Sequence, residues 1–233
     1  MFKEKSAVGN ILWDWNGTLL NDMHICIDCI NQLLTFRNLP VLQPEKYREI
    51  FTFPVRDYYV TAGFDFSDEP FDKVAIQFID QYRVKLPEAA LFPEVKKVLE
   101  KLRSDGYRQF IVSAMEQDFL EETVQHHGID RYFEEIHGIR NHYADGKFES
   151  AIDLIRSQHL DKNNTLFIGD TLHDYEVAEK AGIRCVLISH GHQSRNRLLK
   201  AGVPVIDKLE EIYNFTSFIS LKQNQKKQAD NSI

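Results

Sequence analysis

The chain has 233 residues, 43% hydrophobic and 27% charged, with a formal net charge of −7. That length holds one large domain or a core with a smaller second unit, and the composition is that of a globular protein. The acidic balance excludes the broad basic face that nucleic acid requires, and no apolar run reaches the length of a membrane span.

The N-terminal stretch carries no signal-peptide pattern, and its one short apolar run, residues 8–14, reads as a strand. The run ends on Asp14, with Asn16, Gly17 and Thr18 directly behind it. Between 19 and 91 the periodicity is helical. Met23, Cys26, Ile27, Ile30, Leu33 and Leu34 form one stripe, and Phe71, Val74, Ala75, Phe78, Ile79 and Tyr82 form another. Segments near 44–52 and 54–62 complete a helical block. The chain enters this block near 19–22 and leaves it near 86–92, where the two prolines of LPEAALFPE suit a hinge. Three cysteines, Cys26, Cys29 and Cys185, fit a reducing, cytoplasmic setting. The CIDC stretch lacks further ligands at zinc spacing, so Cys26 and Cys29 read as helix residues.

From about 93 onward, helices alternate with apolar strands. Val95, Val98, Leu99 and Leu102 give a helix, and YRQFIVS (107–113) a strand. A helix near 116–127, EEIHGI (134–139), a helix from about 149, TLFIG (165–169), a helix from about 172 and RCVLIS (184–189) follow. A helix near 194–201, a short VPVI strand and a helix from about 207 close the pattern, before a polar, frayed tail. This is an α/β chain: a parallel sheet covered on both faces by helices, with an inserted all-helical block. The expected division is a core of 1–19 and 90–221, an insertion of 20–89 and a tail of 222–233.

In an open parallel sheet, ligands bind beyond the carboxyl ends of the strands. The residues there are Asp14, Asn16, Gly17 and Thr18 after the first strand and Ser113 after the second. Asp145, Gly146 and Lys147 follow the third, Asp170 and Asp174 the fourth, and His190, Gly191 and His192 the fifth. Carboxylates beside a backbone carbonyl make a hard oxygen site suited to Mg²⁺. A lysine and a hydroxyl beside it suit a phosphoryl group, and a carboxylate can accept that group as a nucleophile. Gly17 lets the backbone approach a phosphate closely.

In their order, these residues resemble the four motifs of the haloacid dehalogenase superfamily, in its phosphoglycolate-phosphatase-like branch with a helical cap. LWDWNGTLL resembles the first motif, normally D-x-D-G-T; FIVSA the second; Lys147 in DGKFES the third; and FIGDTLHDYEVAEKAG the fourth. The resemblance covers about residues 8–215 and implies a Rossmann-like core with an inserted cap. It implies Asp14 as nucleophile and Mg²⁺ ligand, Ser113 as a hydrogen-bond donor to the phosphoryl oxygens, and Lys147 as the charge offset. Asp170 becomes a Mg²⁺ ligand, and Asp174 a holder of the metal or its waters. Gly17, Thr18 and Arg56, the last on the cap in TFPVRDYY, become substrate contacts. The implied partner is a small phosphorylated metabolite, with neither nucleic acid nor membrane; nothing in the sequence fixes an oligomeric state.

Asn16 departs from the pattern, standing where the family carries its general acid/base aspartate. Its backbone carbonyl serves Mg²⁺ as well as an aspartate's would, but its amide carries no proton between reactants. Losing a general acid or base raises a barrier by roughly 3–5.5 kcal/mol. Four alternatives are open at this point. Another group carries the proton, with Asp22, His24, His190 and His192 as candidates. The chemistry is that of the phosphonoacetaldehyde-hydrolase branch, with Lys46, Lys73 or Lys85 forming a Schiff base. The chain is a non-catalytic phosphate-binding module. Or the aspartate is missing for a trivial reason, by deamidation at Asn16–Gly17 or by an engineered change.

Overall fold

The computed structural model describes residues 9–139 and 146–216. Strand β1 (Asn10–Trp13) is central in a six-stranded sheet with β4 (Arg108–Glu116), β5 (Glu135–Ile139), β6 (Thr165–Gly169), β7 (Arg184–Ile188) and β8 (Val205–Ile206). The order is β5-β4-β1-β6-β7-β8, and every pairing is parallel. The period-2 geometry of a strand explains the apolar runs. Ile11, Trp13, Ile111, Leu166 and Ile168 enter one apolar layer, while Leu12, Phe110, Val112 and Phe167 enter the other. Helices α5 (Val95–Ser104) and α6 (Gln117–His126) cover the first face. Helices α7 (Gly146–Ser157), α8 (Leu172–Ala181) and α9 (Arg195–Leu198) cover the second.

The chain runs from β1 through β4 to β5 on one side, then returns through β6 to β8 on the other. The order therefore reverses beside β1, and the crevice at its carboxyl end is where a doubly wound sheet binds ligands. Trp13 and Trp15 bracket Asp14 and are both fully buried. Trp13 Nε1 donates to Gln109 Oε1 at 3.2 Å, and the Trp15 ring lies 6.0 Å from that of His127.

The helical periodicity of the next 70 residues becomes α1 (Met23–Phe36), α2 (Pro44–Ile50), α3 (Val55–Ala62) and α4 (Phe71–Lys85). They enclose an apolar cluster of their own, with Ile30, Leu34, Tyr47, Tyr58, Tyr59 and Val74 among its members. Both stems of this insertion pair in a short antiparallel ribbon that the periodicity does not reveal: β2 (Leu20–Asn21) with β3 (Ala90–Leu91).

Three boundaries move. Strand β4 runs to Glu116 with its register against β5 interrupted after Val112, so Ser113 lies within a strand and not at its end. Helix α7 starts at Gly146, three residues before the expected position, which puts Lys147 in its first turn. The segment near 194–201 is only four residues of α-helix followed by a 3-10 turn. Asp145 and the polar tail lie outside the described residues.

Candidate active site

The carboxyl end of β1 delivers Asp14, whose N–H donates to the Ile168 carbonyl of β6 at 2.8 Å. Lys147, a loop residue by sequence, reaches the same point from α7 and is only 2% exposed. Its Nζ lies 2.6 Å from Asp14 Oδ1 and 2.5 Å from Asp174 Oδ1. Asp174 comes from the first turn of α8, where Thr171 is the N-cap of a reciprocal capping box. Asp174 Oδ2 accepts from the Asp170 N–H (3.1 Å), the Thr171 N–H (2.9 Å) and the Thr171 hydroxyl (2.7 Å). This carboxylate is thus committed to the strand-to-helix turn and to Lys147. Asp170, fully buried, accepts from Thr18 Oγ1 at 3.1 Å and from the His192 N–H at 2.6 Å.

Gly17 is required by this packing. It adopts φ +72°, and a Cβ there would stand 2.3 Å from Asp170 Oδ2 and 2.4 Å from the His192 ring. Thr18 is spent on Asp170 from inside the fold. Ser113 is fully buried; its Oγ accepts from the Met115 N–H at 3.1 Å, which leaves the hydroxyl proton to donate.

The electrostatics of the cluster favour a cation. Burial, then the charge of Asp174, hold the Asp14 carboxyl well above its ordinary range, against the pull of Lys147. Burial raises Asp170 to about 6. Asp174 is lowered; burial works against this, but Lys147 and the bonds it receives prevail. Lys147 is held firmly protonated: burial opposes its charge, and Asp14 and Asp174 overcome it. One ammonium faces three carboxylates, whose ligating oxygens lie within 4.8 Å of one another. A hard divalent cation fits that donor set.

Asn16 turns away from this group. Its Nδ2 donates to Asp22 Oδ2 at 2.9 Å and is 2.8 Å from the Tyr82 hydroxyl of α4. Asp22, fully buried, also accepts from the Gly17 N–H (3.0 Å), Tyr82 OH (2.5 Å) and Cys26 Sγ (3.5 Å), and its Oδ1 lies 3.2 Å from His192 Nε2. The other ring nitrogen of His192 meets Tyr47 OH of α2 at 2.8 Å. His192 is raised to about 9, burial being overcome by Asp22, and Asp22 is lowered against its burial chiefly by His192. Asp22 is one helical turn before Cys26 in sequence, and folding brings the distant His192 to the pair.

The insertion is also tied to the loop after β7. Arg48 donates to the Ser189 and Gln193 carbonyls, Gln193 Nε2 donates to the Phe51 carbonyl at 2.9 Å, and Arg197 Nη1 donates to the same carbonyl at 2.5 Å. Arg48, Gln193, Arg197 and the Tyr82 hydroxyl escape sequence reasoning; a lone arginine or an in-stripe tyrosine gives no signal.

Other expected contributors stand elsewhere. Arg56 is exposed on α3 with its guanidinium over the Phe66 ring, and among the described residues no hydrogen bond or ion pair joins it to the carboxylates. His190 stacks on Phe92 and meets the Thr18 carbonyl through Nε2 at 3.1 Å; burial pushes it down to about 4, so it is neutral. His24 and Lys46 are exposed, Lys73 pairs with Glu69, and Lys85 with Asp28.

Comparison with known proteins gives the family and the fold. Residues 11–188 match the family model described as haloacid dehalogenase-like hydrolase. A 5'-nucleotidase of Pseudomonas aeruginosa is 27% identical, covering 81% of this chain and 86% of the relative. A phosphoglycolate phosphatase of Vibrio parahaemolyticus is 24% identical, covering 87% and 93%. A solved haloacid dehalogenase-like hydrolase of Streptococcus pneumoniae superposes with a TM-score of 0.78 at 21% identity, covering 91% of this chain and 99% of that one. Among the described residues no helix is long and apolar enough to cross a membrane.

Proposed function

The chain belongs to the haloacid dehalogenase-like hydrolase family, and on that premise we propose that it is a Mg²⁺-dependent phosphatase of a small phosphorylated metabolite. The observation that carries the reading is the buried cluster itself. Lys147 grips one oxygen of Asp14, and among the described residues Asp14 Oδ2 has no hydrogen-bond partner. That free oxygen is the nucleophile: it bonds to phosphorus as the ester P–O bond breaks, giving an aspartyl-phosphate and the alkoxide, which takes its proton from water. Water then attacks the phosphorus, the Asp14–phosphate bond breaks, and inorganic phosphate leaves.

Lys147 offsets charge on both Asp14 and the phosphoryl group, and Ser113 donates its free proton to a phosphoryl oxygen. Asp14, Asp170 and the Asn16 backbone carbonyl would hold Mg²⁺, which supplies neutralisation of phosphate charge when bound. Asp174 would help hold the metal or its waters, and it holds Lys147 and the Asp170 turn in place. The helical insertion is the cap, and it excludes water when seated on the loop after β7. The names of the relatives support small phosphate esters as the substrate class, and the reducing compartment implied by three free cysteines supports a cytoplasmic setting.

The test is a panel of phosphate monoesters, including p-nitrophenyl phosphate, assayed with Mg²⁺ and again with EDTA. Metal-dependent phosphate release from at least one ester is expected. Release no greater than that of Asp14→Asn for every ester rejects the reading.

A further inference from the structure

Asn16 looks like a lost acid only while it is considered alone. Its side chain donates to a buried carboxylate six residues further on. Only the amide nitrogen of Asn16 can face Asp22 Oδ2 at 2.9 Å, because an oxygen there would leave two acceptors in contact. Every other group around Asp22 is also a donor: the Gly17 N–H, the Tyr82 hydroxyl, the Cys26 thiol and His192 Nε2. These come from the nucleophile loop, from α1 and α4 of the insertion, and from the loop after β7. Asp22 itself is the residue preceding α1, at the stem of the insertion.

We propose that Asn16 and Asp22 are a matched donor–acceptor pair, in which Asp22 is the positioning residue that binds the nucleophile loop to both stem and cap, so that restoring an aspartate at position 16 alone damages the enzyme. The reading of turnover rests on the phosphatase assignment above; the reading of stability does not.

Asn16→Asp sets a carboxylate oxygen against Asp22 Oδ2 in a buried site and removes the donor that both partners use. Asp22→Asn removes the buried negative charge that the Gly17 N–H and His192 face, and no turn of either amide restores it. With its nitrogen at the Oδ2 position it meets the Asn16 amide donor to donor until that amide also turns its oxygen inward. Flipped, the nitrogen meets the Gly17 N–H and His192. The double exchange is different. The amide introduced at position 22 would keep its oxygen toward the Gly17 N–H and His192 and turn its nitrogen to the new carboxylate at position 16. The Tyr82 hydroxyl would then donate to that carboxylate. Among the partners of Asp22, only the Cys26 thiol is left facing a donor. Mismatches of this kind are costly because each leaves a buried polar group unsatisfied.

The experiment compares N16D, D22N and the double variant N16D/D22N with the starting protein, measuring kcat and KM on p-nitrophenyl phosphate with Mg²⁺ and the midpoint of urea unfolding. Each single substitution is expected to lower kcat about tenfold or more, the scale on which a broken buried charged hydrogen bond acts, while KM changes less than about threefold. The double variant is expected to return to within about threefold of the starting kcat, and to unfold at a higher urea concentration than either single variant. A rise in kcat for N16D, or a double variant no better than the poorer single one, overturns the pairing. Asn16→Ala, which removes the donor and adds no charge, is the milder probe for the case in which the charged variants do not fold. It is expected to lower kcat by a smaller factor than N16D, and an Asn16→Ala protein indistinguishable from the starting one overturns the proposal. If the starting protein turns over no ester, the phosphatase reading fails, and the unfolding midpoints alone judge the pair.

Discussion

The nucleophile loop has two sides, and they are built on opposite principles. On one, Asp14, Lys147, Asp170 and Asp174 concentrate like charges around one ammonium, all supplied by the α/β core. On the other, Asn16, Asp22, Tyr82, Tyr47 and His192 form a network in which donors meet acceptors, and which crosses between core and insertion. The first side holds like charges that one ammonium does not balance and that a cation would. The second is already satisfied and gains nothing from a ligand. The contrast shows how one short loop can be reactive on one flank and rigid on the other.

The comparison breaks most sharply at Asp14. Asp14→Asn keeps the shape but removes the nucleophile, and turnover of any accepted ester is expected to fall by roughly 10⁴-fold or more, as for removal of an essential nucleophile elsewhere; steady-state assay checks this. Lys147→Met leaves three buried carboxylates without their ammonium. A stability loss of about 3–5 kcal/mol is expected from urea unfolding in EDTA, the usual cost of orphaning a buried partner, and Mg²⁺ should return part of it.

Proton competition sharpens the same side. Asp170 sits near 6 without metal, above the ordinary carboxylate value, because burial favours its neutral form. Below that pH a proton holds the oxygen that the cation would take, so Mg²⁺ binding weakens as pH falls. Asp14, also raised, adds to the effect, and the apparent dissociation constant is expected to rise by at least about tenfold per pH unit below about 6, as followed by calorimetry; a flat profile between pH 5 and 7 would remove both Asp14 and Asp170 from the ligand set. On the satisfied side the effect is smallest. Tyr82→Phe deletes one donor among several and is expected to cost about 1–2 kcal/mol of stability, with KM nearly unchanged.

The two sides also differ in how far the sequence discloses them. Asp14, Asp170 and Asp174 are legible because a parallel sheet collects the carboxyl ends of its strands at one edge, and each follows an apolar run directly. Lys147 is legible as a member of the set but not as a buried one, since nothing local marks the start of α7 at Gly146. Asp22 and His192 can be named as candidates, but their union cannot. They are 170 residues apart in sequence, and what joins them is the seating of a helical insertion on the core. Tyr82 is invisible for a simpler reason: a hydrophobic stripe counts its ring and ignores its hydroxyl.

The two tryptophans give the molecule a property of another kind. They are the only two in the chain, and they bracket Asp14, buried on either side of it. All indole emission therefore originates from the two sequence neighbours of Asp14, with the His127 ring 6.0 Å from one of the two fluorophores. Excited apart from the nine tyrosines, the protein carries an unlabelled report on the carboxyl end of β1, and a titration followed at the indole emission samples that segment.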